Sequence, residues 1–454
     1  MNQTNNIISA VDIGTTKIVA IIGKKEDNGK FRILGLGKAP SKGVKRGNVL
    51  NIDETINSIK IAVEGAEQKA QTKITDVFVG IAGQNIKCIR NSGYINRPSY
   101  DQEITQQDVD YLTQDQFRIG LEPGKEIIHV LPQSYSVDGE NGVKPVGICG
   151  KRLEGTFHIV IGNTMNIKNL KRCIERAGLH LKNLILEPLA SSYATLTEDE
   201  KEAGVVLVDI GGGTTDIAIY YEGTVCHTAV IPLGGNVITS DIKSAYNILE
   251  KYAEEIKIKY GSALAEAITN DDVVTVPGVS GRSAKEISEK NLANVIQARL
   301  EEIIGSIEFQ IENSGFADKL GAGIVLTGGG SLQKNLPQLI SFITGHEIRI
   351  GFPVQHLNSE VQDDVNQPMF STSIGLMMIG HEKMLKTNTE TVGSPATNTE
   401  ISEKTTGVTD DTEIDDKSEK KKKKQKRPKV PGERNKFIDR LSSFFDDSDT
   451  KINE

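Results

Sequence analysis

The chain has 454 residues, 37% of them hydrophobic and 25% charged, and a formal net charge of −8; this is a soluble composition with room for two or more domains. Its four cysteines are scattered and form no C-x-x-C pair, which argues against a disulfide framework or a zinc site and suits a reducing cytoplasm. The polar start MNQTNN has no apolar signal segment, and no apolar run approaches the length of a transmembrane helix, so any membrane contact is expected to be peripheral.

The first predicted unit is a β-hairpin. Residues 7–13 read as a buried strand, residues 14–16 (Gly-Thr-Thr) as the turn and residues 17–23 as the returning strand, with Asp12 near the end of the first strand. A helix over about 53–70 and a strand over 75–82 follow.

The next stretch, about residues 84–163, has a pattern of its own and reads as an insertion. Thr105 is a plausible N-cap for a helix within it. Its predicted strands lie within residues 92–98, 126–139 and 155–163.

A second hairpin repeats the first about two hundred residues later. Residues 205–210 form its first strand, 211–215 (Gly-Gly-Gly-Thr-Thr) the tip and 216–221 the returning strand, again with an aspartate, Asp209, near the end of the first strand. Three consecutive glycines are entropically costly unless something must approach the backbone closely. The alternative is that the two hairpins are unrelated tight turns.

The hairpins together suggest an anion site. Exposed amides at such a tip form an anion-binding nest, the threonine hydroxyls add donors and Lys17 adds a cation. Asp12 and Asp209 are placed to hold Mg²⁺ through water, because Mg²⁺ usually keeps several of its waters.

A third glycine stretch, residues 323–340, reads as a strand, then Gly328-Gly329-Gly330-Ser331, then a helix whose first turn starts at the loop. A helix N-terminus with close backbone approach suits a phosphate or a ribose. The chain contains no G-x-x-x-x-G-K-[ST] motif, and this stretch is not a G-x-G-x-x-G fingerprint.

Two phosphate hairpins followed by a strand–GGG–helix resemble the actin/Hsp70/sugar-kinase superfamily. The resemblance implies an α/β actin-like ATPase fold, in which two duplicated RNase H-like halves enclose a nucleotide cleft. The insertion after residues 75–82, together with VIPLGGNVITSDI at 230–242, looks like the bacterial cell-division family FtsA over about residues 7–382.

The resemblance implies ATP and Mg²⁺ as ligands, with weak hydrolysis or none that is measurable. The implied nucleotide contacts are Asp12, Gly14, Thr15, Thr16, Lys17, Asp209, Gly211, Gly212, Gly213, Thr214, Thr215, Gly235, Glu254, Lys257, Gly328, Gly329, Gly330 and Ser331. Glu254 and Lys257 are one helical turn apart and would bracket the adenosine, unless they are only a solvated helix face. Glu187, in the segment joining the halves, would position the attacking water, although a Glu before Pro can be purely structural.

The FtsA resemblance also implies a division into subdomains. They are 1A (residues 1–83 and 164–190), the inserted 1C (84–163), 2A (191–237 and 322–384) and 2B (238–321).

The implied partners are the C-terminal peptide of the ring protein FtsZ, further copies of this chain, other divisome proteins and an anionic membrane, with no nucleic acid. Arg299, on a predicted helix over 294–304, matches a basic family position near the FtsZ-tail site, and its fork-shaped cation suits carboxylates. The alternative is that Arg299 pairs with Glu301 or Glu302 on its own helix.

The C-terminal part reads as a disordered linker, residues 385–432, that ends in a basic block and is followed by an amphipathic helix, residues 433–446. The segment 417–436 holds eleven Lys and Arg against two Glu. One apolar stripe runs along the helix and consists of Phe437, Ile438, Leu441, Phe444 and Phe445.

A polybasic run followed by an apolar stripe predicts attachment to the cytoplasmic face of the cell membrane at the division site. A nucleic-acid patch for the lysines and docking onto protein for the helix are the alternatives. The competing functions for the whole chain are a PilM-like pilus-assembly ATPase, a small-molecule kinase of the superfamily and an Hsp70-like chaperone, none of which accounts for this tail.

Overall fold

The computed structural model describes residues 7–142, 144–278, 282–358 and 365–392, with side chains as far as Leu385. In chain order its strands are β1 (Ile7–Ile13), β2 (Lys17–Lys25), β3 (Phe31–Pro40), β4 (Val44–Lys45), β5 (Asn48–Val49), β6 (Asp76–Ile81), β7 (Lys87–Asn96), β8 (Lys125–Val137), β9 (Glu140–Asn141), β10 (Arg152–Asn163), β11 (His180–Leu186), β12 (Val205–Ile210), β13 (Thr215–Tyr221), β14 (Thr224–Ile231), β15 (Val273–Val276), β16 (Lys285–Ser288), β17 (Ile324–Thr327) and β18 (Ile348–Ile350). Its helices are α1 (Ile52–Ala70), α2 (Gln106–Asp115), α3 (Thr164–Arg176), α4 (Glu187–Thr195), α5 (Glu198–Ala203), α6 (Gly235–Tyr246), α7 (Glu250–Tyr260), α8 (Glu289–Ser314), α9 (Leu336–Thr344) and α10 (Ser371–Val392).

Two five-stranded sheets share one topology. The first has the order β11-β6-β1-β2-β3 and the second the order β14-β13-β12-β17-β18. In each, three antiparallel strands (β1–β2–β3 and β12–β13–β14) are extended by two parallel ones. The predicted duplicated fold is therefore confirmed, because both hairpins start a sheet of the same design.

The segment after β6 forms a separate four-stranded sheet of order β7-β10-β8-β9. Helix α2 begins at the predicted N-cap, where Thr105 and Asp108 form a reciprocal capping box. Leu112 of α2 packs with Leu153 and Phe157 in a core that belongs to this sheet. The second half carries a smaller two-stranded sheet, β15–β16, beside α8.

The C-terminal helix differs from its expected place. Sequence order assigned residues 371–384 to the second half, but Ile374 and Met377 of α10 pack with Ile8, Val19 and Ile21 of the first sheet. Chain order does not predict this, because α10 returns to cover the face of the first sheet opposite α1.

The two halves also meet through backbone hydrogen bonds far from the hairpins. The Phe31 N–H at the start of β3 donates to the His356 carbonyl over 2.8 Å, and the Asn358 N–H donates to the Phe31 carbonyl over 3.0 Å. The loop after β18 thereby adds a short parallel bridge, Phe31 to Leu357, to the edge of the first sheet.

Helix α10 continues to Val392, eight residues into the segment predicted as a linker. The rest of that linker, the basic block and the predicted membrane helix with Phe437, Ile438, Leu441, Phe444 and Phe445 lie outside the described residues. Among the helices of the described part, none is long and apolar enough to cross a membrane.

Candidate functional site

The tips of the two hairpins face each other at contact distance. A Cβ placed on Gly212 would lie 1.8 Å from Oγ1 of Thr16, and one on Gly213 would lie 2.4 Å from Oγ1 of Thr15. The Thr16 hydroxyl also donates to Oδ1 of Asn236 over 3.4 Å. Gly212 and Gly213 are thus required by the close approach of the opposite hairpin, and the expected approach of a ligand stays a prediction.

Several backbone amides at these tips are available to an anion. Within the described residues, the N–H groups of Gly212, Gly213, Thr15 and Thr16 donate to no protein acceptor. The carbonyls of Gly211 and Gly212, by contrast, accept from the loop that precedes α6. At these tips it is therefore donors, and not acceptors, that stay available to a ligand.

Four carboxyl groups and one ammonium group lie together below the tips. Burial raises the pKa of Asp12 to about 7 and that of Asp216 to about 8, and it also raises the pKa of Asp209. Burial and the charges of these three aspartates raise the pKa of Glu187 well above its usual value. Burial lowers the pKa of Lys17 to about 8, against the opposing charges of Asp12 and Asp209. The cluster therefore favours an added cation.

Asp209 and Asp216 differ in their hydrogen bonds. Oδ2 of Asp209 accepts from the Ser191 hydroxyl over 2.6 Å and from the Thr372 hydroxyl over 3.1 Å. Oδ2 of Asp216 accepts from the Thr214 hydroxyl over 3.0 Å, whereas its buried Oδ1 has no partner. A buried carboxylate oxygen without a donor suits a bound cation or its water.

Sequence reasoning missed Asp216. It read that residue only as the start of a strand, but Asp209 and Asp216 are directly paired across β12 and β13, so both side chains leave the same face of the hairpin. The sequence contains a signal for this residue. Opposite Asp12 the first hairpin has Val19, whereas the second hairpin has a second aspartate at the matching position.

The residues fit Mg²⁺ held through water. In the described part of the chain, no group of three or more His, Cys, Asp or Glu is arranged to hold a metal directly. Asp12 and Asp209 would instead hold the ion through its waters, as Mg²⁺ prefers, and the unpartnered Oδ1 of Asp216 could accept from one of those waters.

The third glycine loop closes one side of the site, and its form differs from the prediction. A short 3₁₀ turn, Gly329–Leu332, follows Gly328, and helix α9 begins only at Leu336. The predicted helix N-terminus at the loop is therefore wrong. The buried Ser331 hydroxyl donates to the Gly328 carbonyl over 2.7 Å, so in this structure Ser331 supports the loop.

The three loop glycines are not equivalent. Gly328 has φ +81°, and its Cβ would lie 2.3 Å from Oδ1 of Asp209; a Cβ on Gly330 would lie 2.4 Å from Ile210. At Gly329 the nearest atom is Cβ of Met369 at 3.8 Å. A side chain at Gly329 would therefore meet little of the protein.

The predicted adenosine pair lies behind the loop that starts α6. The Lys257 ammonium pairs with Glu254 at 2.7 Å and donates to the Gly235 carbonyl over 3.0 Å and to the Thr239 hydroxyl over 2.9 Å. Lys257 is buried, while the Glu254 side chain is 40% exposed. The pair is therefore more than a solvated helix face, since it ties α7 to the loop at the cleft.

Glu187 is the first residue of α4, so the predicted connecting segment is the start of a helix. Its side chain runs beside Gly80 of β6, where an added Cβ would lie 3.0 Å from Cγ and 3.1 Å from Oε1 of Glu187. Any larger residue at Gly80 would displace the Glu187 carboxyl group.

Arg299 lies on α8, away from this cluster. It pairs with Asp241 of α6 through two hydrogen bonds of 2.5 and 3.1 Å and with Glu302 on its own helix. The alternative of pairing on its own helix is thus realised in part, and binding of a peptide there stays a prediction.

Comparison with known proteins adds two family matches. The model described as Cell division protein FtsA matches residues 206–375, and the one described as SHS2 domain inserted in FTSA matches residues 83–161.

Curated relatives are similar over most of their length. A cell division protein FtsA of Neisseria meningitidis serogroup B is 42% identical over 379 residues, covering 83% of this chain and 91% of that protein. The FtsA of Pseudomonas aeruginosa is 40% identical over 84% of this chain and 91% of its own length. The FtsA of Escherichia coli K12 is 35% identical over 85% and 92%.

Two solved structures share the fold at low sequence identity. The PilM-PilN type IV pilus biogenesis complex aligns with a TM-score of 0.60 at 16% identity, covering 84% of this chain and 99% of that one. MreB5 of Spiroplasma citri bound to ADP aligns with a TM-score of 0.51 at 17% identity, covering 86% and 99%. These likenesses concern the actin-like fold alone.

Proposed function

The chain belongs to the FtsA family of cell-division proteins with an actin-like ATPase fold, and from this premise we propose that it binds Mg-ATP between its two halves. The observation that carries the proposal is the pair of hairpin tips, whose amides have no protein acceptor within the described residues and which lie close to buried Asp12, Asp209 and Asp216.

Each residue type has a physical task in this proposal. The free amides at the tips donate to phosphate oxygens, and Lys17, near Asp12 and Asp209, regains its ordinary pKa beside an added negative charge. Mg²⁺, when bound, neutralises the phosphate charge. Gly329 leaves room for the ribose side of the nucleotide.

For hydrolysis, the residues to test are Glu187 and Asp216. Both carboxyl groups lie within the same charge cluster, and an ionised one can orient a water for in-line attack. Burial raises the pKa of both groups, so a bound cation must favour their ionised forms before either can orient the water.

In the cell we propose that the protein polymerises, recruits other divisome proteins and anchors the FtsZ ring to the cytoplasmic face of the membrane. The inserted sheet offers a surface for self-association, and Arg299 is the proposed contact for the acidic FtsZ peptide. The basic block and the apolar stripe from Phe437 to Phe445 support peripheral attachment, since either signal alone is marginal. The 35–42% identity to FtsA proteins favours this role over a pilus function. The pilus function is supported only by a shared fold at 16% identity.

Calorimetry with ATP, with and without Mg²⁺, tests the nucleotide proposal. We expect Gly329→Leu to abolish ATP binding, while Gly120→Leu, at another open glycine, leaves it unchanged. Asp209→Asn keeps an acceptor for Ser191 and should weaken only the Mg²⁺-dependent part, by about tenfold, or 1.4 kcal/mol. Unchanged affinity in both site variants would refute the site.

A further inference from the structure

The inserted sheet reaches into the nucleotide region through one histidine. His129 lies on β8, and its Nε2 accepts a hydrogen bond of 3.0 Å from the Leu186 N–H. Leu186 is the last residue of β11 and directly precedes Glu187. Since β11 is the edge of its sheet, an outward-facing amide there has no neighbouring strand, and His129 supplies the acceptor.

The chemistry of His129 suits this task. Burial and the nearby Lys383 charge lower the pKa of His129 to about 4, so the ring is neutral at neutral pH and Nε2 keeps its lone pair. The proton then sits on Nδ1. The contact fixes the backbone where α4 begins, and this sets the direction in which the Glu187 side chain leaves.

A second contact seats the same insertion on the other half. The Thr228 hydroxyl of β14 lies 2.9 Å from Nε2 of His158 and 3.0 Å from Sγ of Cys88. Gln133 of β8 donates to the Val225 and Cys226 carbonyls over 3.2 and 2.9 Å. Strand β14 ends at Ile231, four residues before Gly235. The insertion therefore holds one element of each half, and both elements lead into the cleft.

We propose that His129 is a positioning residue for Glu187, and that through it the seating of the inserted subdomain is coupled to nucleotide binding. The proposal rests on the proposed binding of Mg-ATP in this cleft. A nucleotide that moves the hairpin tips also moves β14 and the start of α4, and the insertion is hydrogen-bonded at both places. By thermodynamic linkage, a partner that shifts the insertion must change nucleotide affinity in return.

Hydrogen exchange and calorimetry on the full chain test the coupling. The variants are His129→Leu, which has no acceptor, His129→Gln, whose amide oxygen can accept, and His180→Gln as a control on an exposed histidine at the start of β11, the strand that ends at Leu186. Without nucleotide, the Leu186 amide should exchange at least about tenfold faster in His129→Leu, and His129→Gln should restore its protection. On adding Mg-ATP, the amides of residues 125–137 should gain protection in the wild type and in both glutamine variants but not in His129→Leu.

The outcomes separate the two proposals. If His129→Leu binds Mg-ATP and still transmits it to residues 125–137, the coupling is wrong and the histidine only satisfies a buried amide. Equal behaviour of the leucine and glutamine variants would overturn it as well. A wild-type chain that binds no ATP would overturn the proposed function together with the coupling, and calorimetry reports that result independently of exchange.

Discussion

Replacing Asp216 by Asn should stabilise the nucleotide-free protein in a pH-dependent way. Burial raises the pKa of Asp216 from 3.8 to about 8, with the charges of Asp209 and Asp12 adding to the effect. When folding raises the pKa of a carboxyl group, that group destabilises the folded state only at pH values at which it would be ionised in the unfolded chain. The loss is therefore absent below about pH 4, grows as the pH rises and levels off above about pH 8.

The size of the effect follows from that shift. At 1.36 kcal/mol per pKa unit, the loss at pH 8 is at most about 6 kcal/mol. The amide keeps an acceptor for the Thr214 hydroxyl, but it is itself a buried polar group that costs about 1–3 kcal/mol unless it is fully paired. The remaining buried carboxyl groups still destabilise the folded state, so we expect Asp216→Asn to gain only about 2 kcal/mol at pH 8. For a protein of this size this corresponds to about 2–3 °C in Tm.

Thermal melts at pH 5.5 and pH 8.0 without nucleotide provide the assay. The gain of Asp216→Asn over the wild type should be clearly larger at pH 8.0, whereas Asp53→Asn, on an exposed carboxylate, should show no such difference. If the variant is destabilised at pH 8.0, or is equally stabilised at both pH values, then burial of the ionised Asp216 carboxylate does not destabilise the folded protein as argued above.

Three further predictions concern the ion, the peptide and the membrane. Mg²⁺ binding with ATP should release protons at pH 7, because a cation lowers the raised pKa values of Asp12 and Asp216; equal heats in buffers of different ionisation enthalpy would contradict this. Arg299→Glu should weaken binding of an FtsZ C-terminal peptide several-fold in fluorescence anisotropy while Asp241→Asn, which frees the arginine, does not; equal loss in both would make the effect structural. Phe444→Glu with Phe445→Glu should release the chain from anionic liposomes, since burying each Phe is worth about 1.5–3 kcal/mol at most; undiminished co-sedimentation would place the stripe on a protein surface.

The parts of the fold that local pattern controls were predictable. Both hairpins and the cap at Thr105 follow from apolar runs, glycine tips and side-chain capping, which act within a few residues. The return of α10 to the first sheet was not predictable, because the apolar residues of a helix do not determine which of two sheets the helix packs against. The late start of α9 was missed because Ser331 turns inward to hold Gly328, a contact that the residue order alone does not reveal.

The candidate site divides in the same way. Glycine and aspartate at a repeated spacing indicated Asp12 and Asp209, because the signal is carried by the repeat. Asp216 required the strand register, and His129 required the position of a whole inserted sheet. Residues that act across subdomains leave no short-range signature, and their contribution emerges only once the sheets are assembled.

The hydrogen bonds between Phe31 and the loop at His356 join the two halves at the end of β2 that lies away from the hairpin tips, and they form a hinge there. Strand β2 runs eight residue steps from the hairpin tip at Lys17 to Lys25, next to the bridge, which is a distance of roughly 26 Å. With the halves tied at that end, inserting one hydrogen-bonded layer of about 3 Å between the tips rotates one half against the other by roughly 7°. In a filament whose subunits touch through both halves, that rotation would repeat at every subunit and accumulate as twist of the filament. In a filament whose contacts are confined to one half, the rotation would not change the filament twist.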